Sequence, residues 1–155
     1  MQKTRILFVC HGNICRSPMA EFILKDMVKK SRLENSFEIR SAATSAEELG
    51  NGLYPNAARC LDAHGIPHSS HRATQLRKSD YAEYDLIIGM DEENMWNMQR
   101  LFGGDPEGKV VSLMSFTGSS RSVSDPWYTR DFETAFSDIF EGCQGLLNEV
   151  KNGLS

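Results

Sequence analysis

Cys10-His11-Gly12-Asn13-Ile14-Cys15-Arg16-Ser17-Pro18 places a cysteine and an arginine in one short segment with five residues between them. Consecutive backbone N–H groups in a loop that wraps into a helix N-terminus point inward and form a nest for the oxygens of a dianionic phosphate. The amides of His11, Gly12, Asn13, Ile14, Cys15, Arg16 and Ser17 can supply that nest. Gly12 and Asn13 are residue types that tolerate the positive φ it needs. Arg16 adds a planar fork for two phosphate oxygens, and its benefit grows as charge spreads in a trigonal bipyramidal transition state. Cys10 at the floor is then the attacking atom, and the field that holds phosphate also favours its thiolate. The Ser17 hydroxyl is placed to donate to that sulfur and ease its departure.

Other readings of these residues compete. A cysteine at the end of an apolar run is more often a small buried hydrophobe, which the loop around Cys10 argues against. Cys10, Cys15 and His11 are zinc-ligand types, but no other Cys or His pair is identified at ligand spacing downstream, so neither metal nor cofactor is expected. The Gly-Lys-Ser/Thr ending of a nucleotide-binding loop is absent.

Positioning such a loop needs a strand before it and a helix after it. Thr4 to Val9 is a short apolar run rich in β-branched residues, suited to a strand buried on both faces. Ser17-Pro18 reads as a capping residue before a first-turn proline, and Met19, Phe22, Ile23 and Met27 then recur at helical spacing. Further strands are expected over Phe37–Ala43, Tyr84–Met90 and Lys109–Leu113. Helices are expected over Pro55–His64, Asp91–Phe102 and Asp131–Val150, with Cys60 and Cys143 as core residues on two of them. Strands alternating with helices predict an α/β fold of three layers, α/β/α, around a four-stranded parallel sheet. Ligands of such sheets bind beyond the carboxyl ends of the strands, where the Cys10 loop sits.

At 155 residues, without repeat or linker, the chain predicts a single domain over 1–155. A net charge of -4 offers no general attraction to nucleic acid or anionic lipid, so an anionic substrate needs a local positive site. The apolar run at Ile6–Cys10 is too short to span a membrane or serve as a signal core, and four scattered cysteines make no disulfide framework. A cytoplasmic protein, monomeric or weakly dimeric, is expected.

Residues 9 to 18 match the motif Val-Cys-x-Gly-Asn-x-Cys-Arg-Ser-Pro of the low-molecular-weight protein tyrosine phosphatases, which this sequence closely resembles. Ser41-Ala42-Ala43-Thr44-Ser45, Ala63-His64-Gly65-Ile66, Met90-Asp91, Asp125-Pro126-Trp127 and Asp131-Phe132-Glu133 are similar to family landmarks in the same order. The resemblance implies a protein-tyrosine phosphatase acting through a cysteinyl phosphate, with a phosphotyrosine protein or small aryl phosphate as substrate. It also implies that Asp125 is the general acid, a role that local spacing does not reveal. Trp127 and Tyr128 resemble aromatic walls of the cleft. Asn13, His71 and Ser41 resemble a bracing set for the loop, and Cys15 resembles a cysteine that can form a reversible disulfide with the nucleophile. Without the cysteine loop, Asp125-Pro126 would read as a turn, Trp127 as a packed aromatic and His71 as a surface histidine.

The sequence departs from better-known members at Glu47 and Glu48, where an aromatic often lines the cleft, and at His11. An acidic wall there predicts a preference for less acidic or basic peptides. A protein arginine phosphatase is the nearest rival, but that group tends to carry Thr where Ile14 stands, and Ile14 suits an aromatic ring. Arsenate reductases of this fold need a relay of closely spaced cysteines that is not found downstream. A catalytically silent phosphate-binding or redox-sensing module is the alternative from another class. Such a module would tolerate loss of Cys10, Arg16 or Asp125, all of which are present.

Overall fold

The apolar run leading to the cysteine loop forms β1 (Thr4–Cys10), whose last five residues are buried. In the computed structural model residues 3–154 are described, so Met1, Gln2 and Ser155, at the ends of the expected domain, lie outside the described residues. β1 pairs in parallel with β2 (Phe37–Ala43) on one side and β3 (Leu86–Gly89) on the other. β4 (Val110–Ser112) completes a parallel sheet of order β2-β1-β3-β4. The chain leaves β1 toward one edge and returns past it to reach β3, so the sheet's switch point lies at the carboxyl end of β1.

Successive side chains of a strand point to opposite faces, and β1 divides its residues accordingly. Ile6, Phe8 and Cys10 join Met19 and Ile23 of α1 (Arg16–Lys30) and Ile139 and Leu146 of α6 (Phe132–Leu154). Leu7 and Val9 join Ile87, Val110 and Met98 of α4 (Glu92–Phe102) on the other face. These two cores make the α/β/α layering predicted from the alternating pattern. α2 (Pro55–Ala63) packs beside α1 and α6, while α3 (Asp80–Glu83) and α5 (Pro126–Thr129) are single turns.

Several boundaries move for local reasons. Tyr84 belongs to the end of α3 rather than to β3, because its N–H closes that turn on Asp80. The last helix runs to Leu154, beyond the expected Val150. It contacts the 3₁₀ segment Leu113–Thr117 closely, and a Cβ at Gly145 would collide with the Phe116 carbonyl. No helix among the described residues is long and apolar enough to cross a membrane.

Candidate active site

The loop between β1 and α1 closes around the sulfur of Cys10. The Asn13 N–H points at Sγ from 3.3 Å and the Ser17 hydroxyl lies 3.0 Å away. Asn13 is fully buried and takes φ 60°, the left-handed conformation that Asn tolerates better than most residues. Gly12, expected to share that role, does not adopt positive φ. What it provides is space, since a Cβ there would press to 3.3 Å from Glu48 Cγ.

The Asn13 side chain works in two directions. Thr74 N–H donates to Oδ1 at 3.1 Å, which fixes the amide's orientation, and Nδ2 donates to Ser17 Oγ at 2.8 Å. Because the Ser17 oxygen accepts from Asn13, its own proton is free to face Cys10 Sγ. Ser17 is therefore not the helix cap that its place before Pro18 suggested; α1 starts at Arg16 and is preceded by Cys15, which makes no side-chain cap. His71 Nε2 donates to the Asn13 carbonyl at 2.7 Å, so it braces the loop through backbone. Among the described residues the Ser41 side chain makes no hydrogen bond to Asn13 or His71. Its hydroxyl donates to Glu21 Oε1 at 2.6 Å, and only its carbonyl reaches the set, by accepting from Thr74 Oγ1.

Arg16 lies almost wholly buried at the first turn of α1, with Nη2 donating to Asp91 Oδ2 at 2.8 Å and to Asp125 Oδ2 at 3.4 Å. Nη1 donates to the Val123 carbonyl. Burial alone would lower the pKa of this guanidinium, but Cys10, Asp125 and Asp91 outweigh it and hold it above its ordinary value. A cation secured in this way can offer its remaining N–H groups to a phosphate without losing orientation. Burial pushes the Cys15 thiol up to about 12, with Cys10 and Asp125 adding to the effect.

In the sequence Asp91 is a family landmark and the expected start of a helix, with no chemical role attached. It lies two residues beyond β3 and caps α4: Oδ1 accepts from Asn94 N–H at 2.8 Å while Asn94 Oδ1 accepts from the backbone of Asp91 and Met90. The Asp-Glu-Glu-Asn run after an apolar strand is a readable capping signal, but nothing local says that the other carboxylate oxygen meets Arg16.

Asp125 reaches the same place from the far end of the chain. Val123 N–H donates to the Met90 carbonyl and Ser124 N–H to Asp138 Oδ2 on α6, so the loop is tied to both β3 and α6. Asp125 caps α5 with Oδ1, which accepts from Trp127 N–H at 3.0 Å, and turns Oδ2 toward Arg16. The turn reading of Asp125-Pro126 thus accounts for one oxygen of the carboxyl and leaves the other facing Arg16. Trp127 packs edge-on against Tyr54 with 53% of its surface exposed, and Tyr128 is more open still.

Together Cys10, Arg16, Asp91, Asp125, Ile14 and Trp127 line a cleft of about 440 Å³, a volume suited to a phosphorylated ring. Glu47, Glu48 and Glu93 stand at its mouth, and His11 lies 3.3 Å from Glu47 and 3.8 Å from Glu93.

A protein-family model for low molecular weight phosphotyrosine protein phosphatases matches residues 5–155. The chain belongs to this family. It is 35% identical to low molecular weight phosphotyrosine protein phosphatase 1 of Drosophila melanogaster, over 94% of this chain and 96% of that protein. Among solved structures, the YfkJ protein of Bacillus subtilis superimposes with a TM-score of 0.96 at 32% identity, covering 100% of this chain and 99% of the other. The Drosophila arginine phosphatase superimposes with a TM-score of 0.85 at 29% identity, covering 94% and 97%. Such a spread of relatives on one fold leaves substrate choice to the cleft residues.

Proposed function

We propose that the protein is a protein-tyrosine phosphatase working through a cysteinyl phosphate, with Asp125 as general acid and then general base. The carrying observation is the convergence of the Cys10 sulfur, the Arg16 fork and the Asp125 carboxyl in one cleft. Cys10 Sγ attacks phosphorus in line with the ester oxygen, the P–O bond breaks, and Asp125 gives its proton to the departing phenolate. Water then attacks phosphorus, Asp125 takes the water's proton, and the P–S bond breaks to return the thiolate and release inorganic phosphate. The Ser17 hydroxyl is aimed to steady the sulfur as it leaves.

Hydrolysis of phosphoarginine is the second reading, favoured by Glu47, Glu48 and Glu93, whose carboxylates would attract a guanidinium. Against it stands the apolar Ile14 in the wall beside the nest, a better neighbour for a ring. Rates on phosphotyrosine, phosphoarginine and phosphoserine peptides, with Cys10→Ser as control, separate the readings. Phosphotyrosine should be fastest, and a faster phosphoarginine reaction would overturn the assignment. With Asp125→Asn, rates should fall more for alkyl than for activated aryl phosphates. Equal loss across leaving groups would remove Asp125 as the acid.

A further inference from the structure

Away from the catalytic cleft, α2 and the start of α6 bring together a thiol, an imidazole and a carboxylate. Cys60 and His64 stand one helical turn apart, a spacing that puts two side chains on one face of a helix. They are a Cys/His pair at ligand spacing that the sequence reading overlooked. Glu133, at the first turn of α6, closes the group: its Oε1 lies 3.7 Å from Cys60 Sγ and its Oε2 lies 2.7 Å from His64 Nε2. The three ligand atoms all fall within 4.8 Å of one another.

We infer that Cys60, His64 and Glu133 form a binding site for Zn²⁺ that clips α2 to α6. One thiolate, one carboxylate and one neutral imidazole cancel the charge of a divalent ion, and sulfur, nitrogen and carboxylate oxygen are all ligands that zinc accepts. A tetrahedral ion with bonds of about 2.3 Å to sulfur and about 2.0 to 2.1 Å to oxygen or nitrogen separates such ligands by about 3.6 Å. The observed spacing of sulfur and Glu133 Oε1 is 3.7 Å, so this pair needs little movement, while the 2.7 Å hydrogen bond between His64 Nε2 and Oε2 opens as the ion enters. The His64 ring stacks on Phe136 with centroids 3.8 Å apart and planes 9° apart, which holds the imidazole before any ion arrives. Cys60 lies below the surface, whereas the His64 and Glu133 side chains are 37% and 63% exposed, leaving an entry path and a fourth position for water. As the bonds form, the Cys60 thiol gives its proton to solvent and the imidazole binds through an unprotonated Nε2.

Titration of the full-length Cys10→Ser protein with Co²⁺ and Zn²⁺ tests the site without the cleft's nucleophilic thiol. One Co²⁺ per chain should bind with a thiolate charge-transfer band in the near ultraviolet and the strong visible absorption of a tetrahedral centre. Zn²⁺ should displace it and raise the melting temperature. Adding Cys60→Ser should abolish the charge-transfer band. His64→Gln and Glu133→Gln, at exposed side chains, should each weaken binding more than about tenfold while the protein stays folded. A band that survives Cys60→Ser, or affinities unchanged in both exposed variants, would overturn the inference, as would absence of binding in the Cys10→Ser protein.

Discussion

Asn13 gives the sharpest test of how the phosphate loop is held, because its backbone and side chain make separable contributions. Replacing it with Gly removes both amide hydrogen bonds but leaves the φ of 60° unstrained. The bond from Thr74, an exposed residue, is only part-buried, so its loss stands at the low end, about 1 kcal/mol. The bond to Ser17 is fully buried and its loss costs about 2 kcal/mol. Asn13→Gly should therefore destabilise by about 3 kcal/mol. Asn13→Ala loses the same bonds and adds about 1 to 2 kcal/mol of left-handed strain, against about 0.4 to 1 kcal/mol regained because alanine has a less free unfolded chain. The alanine variant should thus be the less stable by about 0.5 to 1 kcal/mol, reversing the usual order of the two residues. Urea unfolding of both, read as midpoints at unchanged m-value, measures the difference. An alanine variant more stable than the glycine variant would refute the claim that the left-handed turn at Asn13 is what the loop requires.

Three further outcomes follow from the same contacts. Asp91→Asn keeps a good cap on α4 but removes the charge facing Arg16; kcat/KM should fall roughly ten- to hundredfold with the melting temperature nearly unchanged, and an unchanged kcat/KM would make Asp91 a mere cap. Folding raises the Cys15 thiol from 9.0 to about 12, so the folded chain binds that proton more tightly. Its stabilisation is complete below about pH 9 and is lost as pH rises toward 12, at about 1.4 kcal/mol per pH unit, and Cys15→Ala should show a shallower alkaline decline in urea midpoints. Gly145→Ala would gain about 1 kcal/mol on an isolated helix, yet here the collision with Phe116 should make it destabilising; a raised melting temperature would count against that packing.

How much of the molecule was legible in the sequence follows from how local each signal is. The β1 run, the Met19–Phe22–Ile23 periodicity and the Asp91 cap all act within a few residues, so the order of strands and main helices could be read from them. The single turns α3 and α5 could not, because each is closed by only a few bonds that depend on the surrounding chain. Gly12 lacks the positive φ expected of it, because its small size answers to Glu48, distant in sequence. Ser17 does not cap α1, whereas its hydroxyl does approach the Cys10 sulfur, a contact within the loop that the local sequence already implied.

By itself the sequence determined the parts that one segment can hold: a strand ending in Cys10, a loop of amides and Arg16 at the head of a helix. The loop works largely at short range, through the φ of Asn13 and its N–H toward the Cys10 sulfur, while Thr74 and His71 hold it from outside. Only tertiary structure decided what surrounds Arg16, since Asp91 and Asp125 are 75 and 109 residues away and arrive by separate routes, one capping α4 just after β3 and one on a loop tied to α6. It also set Cys60 and His64 against Glu133, some seventy residues on, for no reason visible along the chain. Carboxylates meet a buried guanidinium or a thiol through packing of the sheet and its helices, and packing has no local signature.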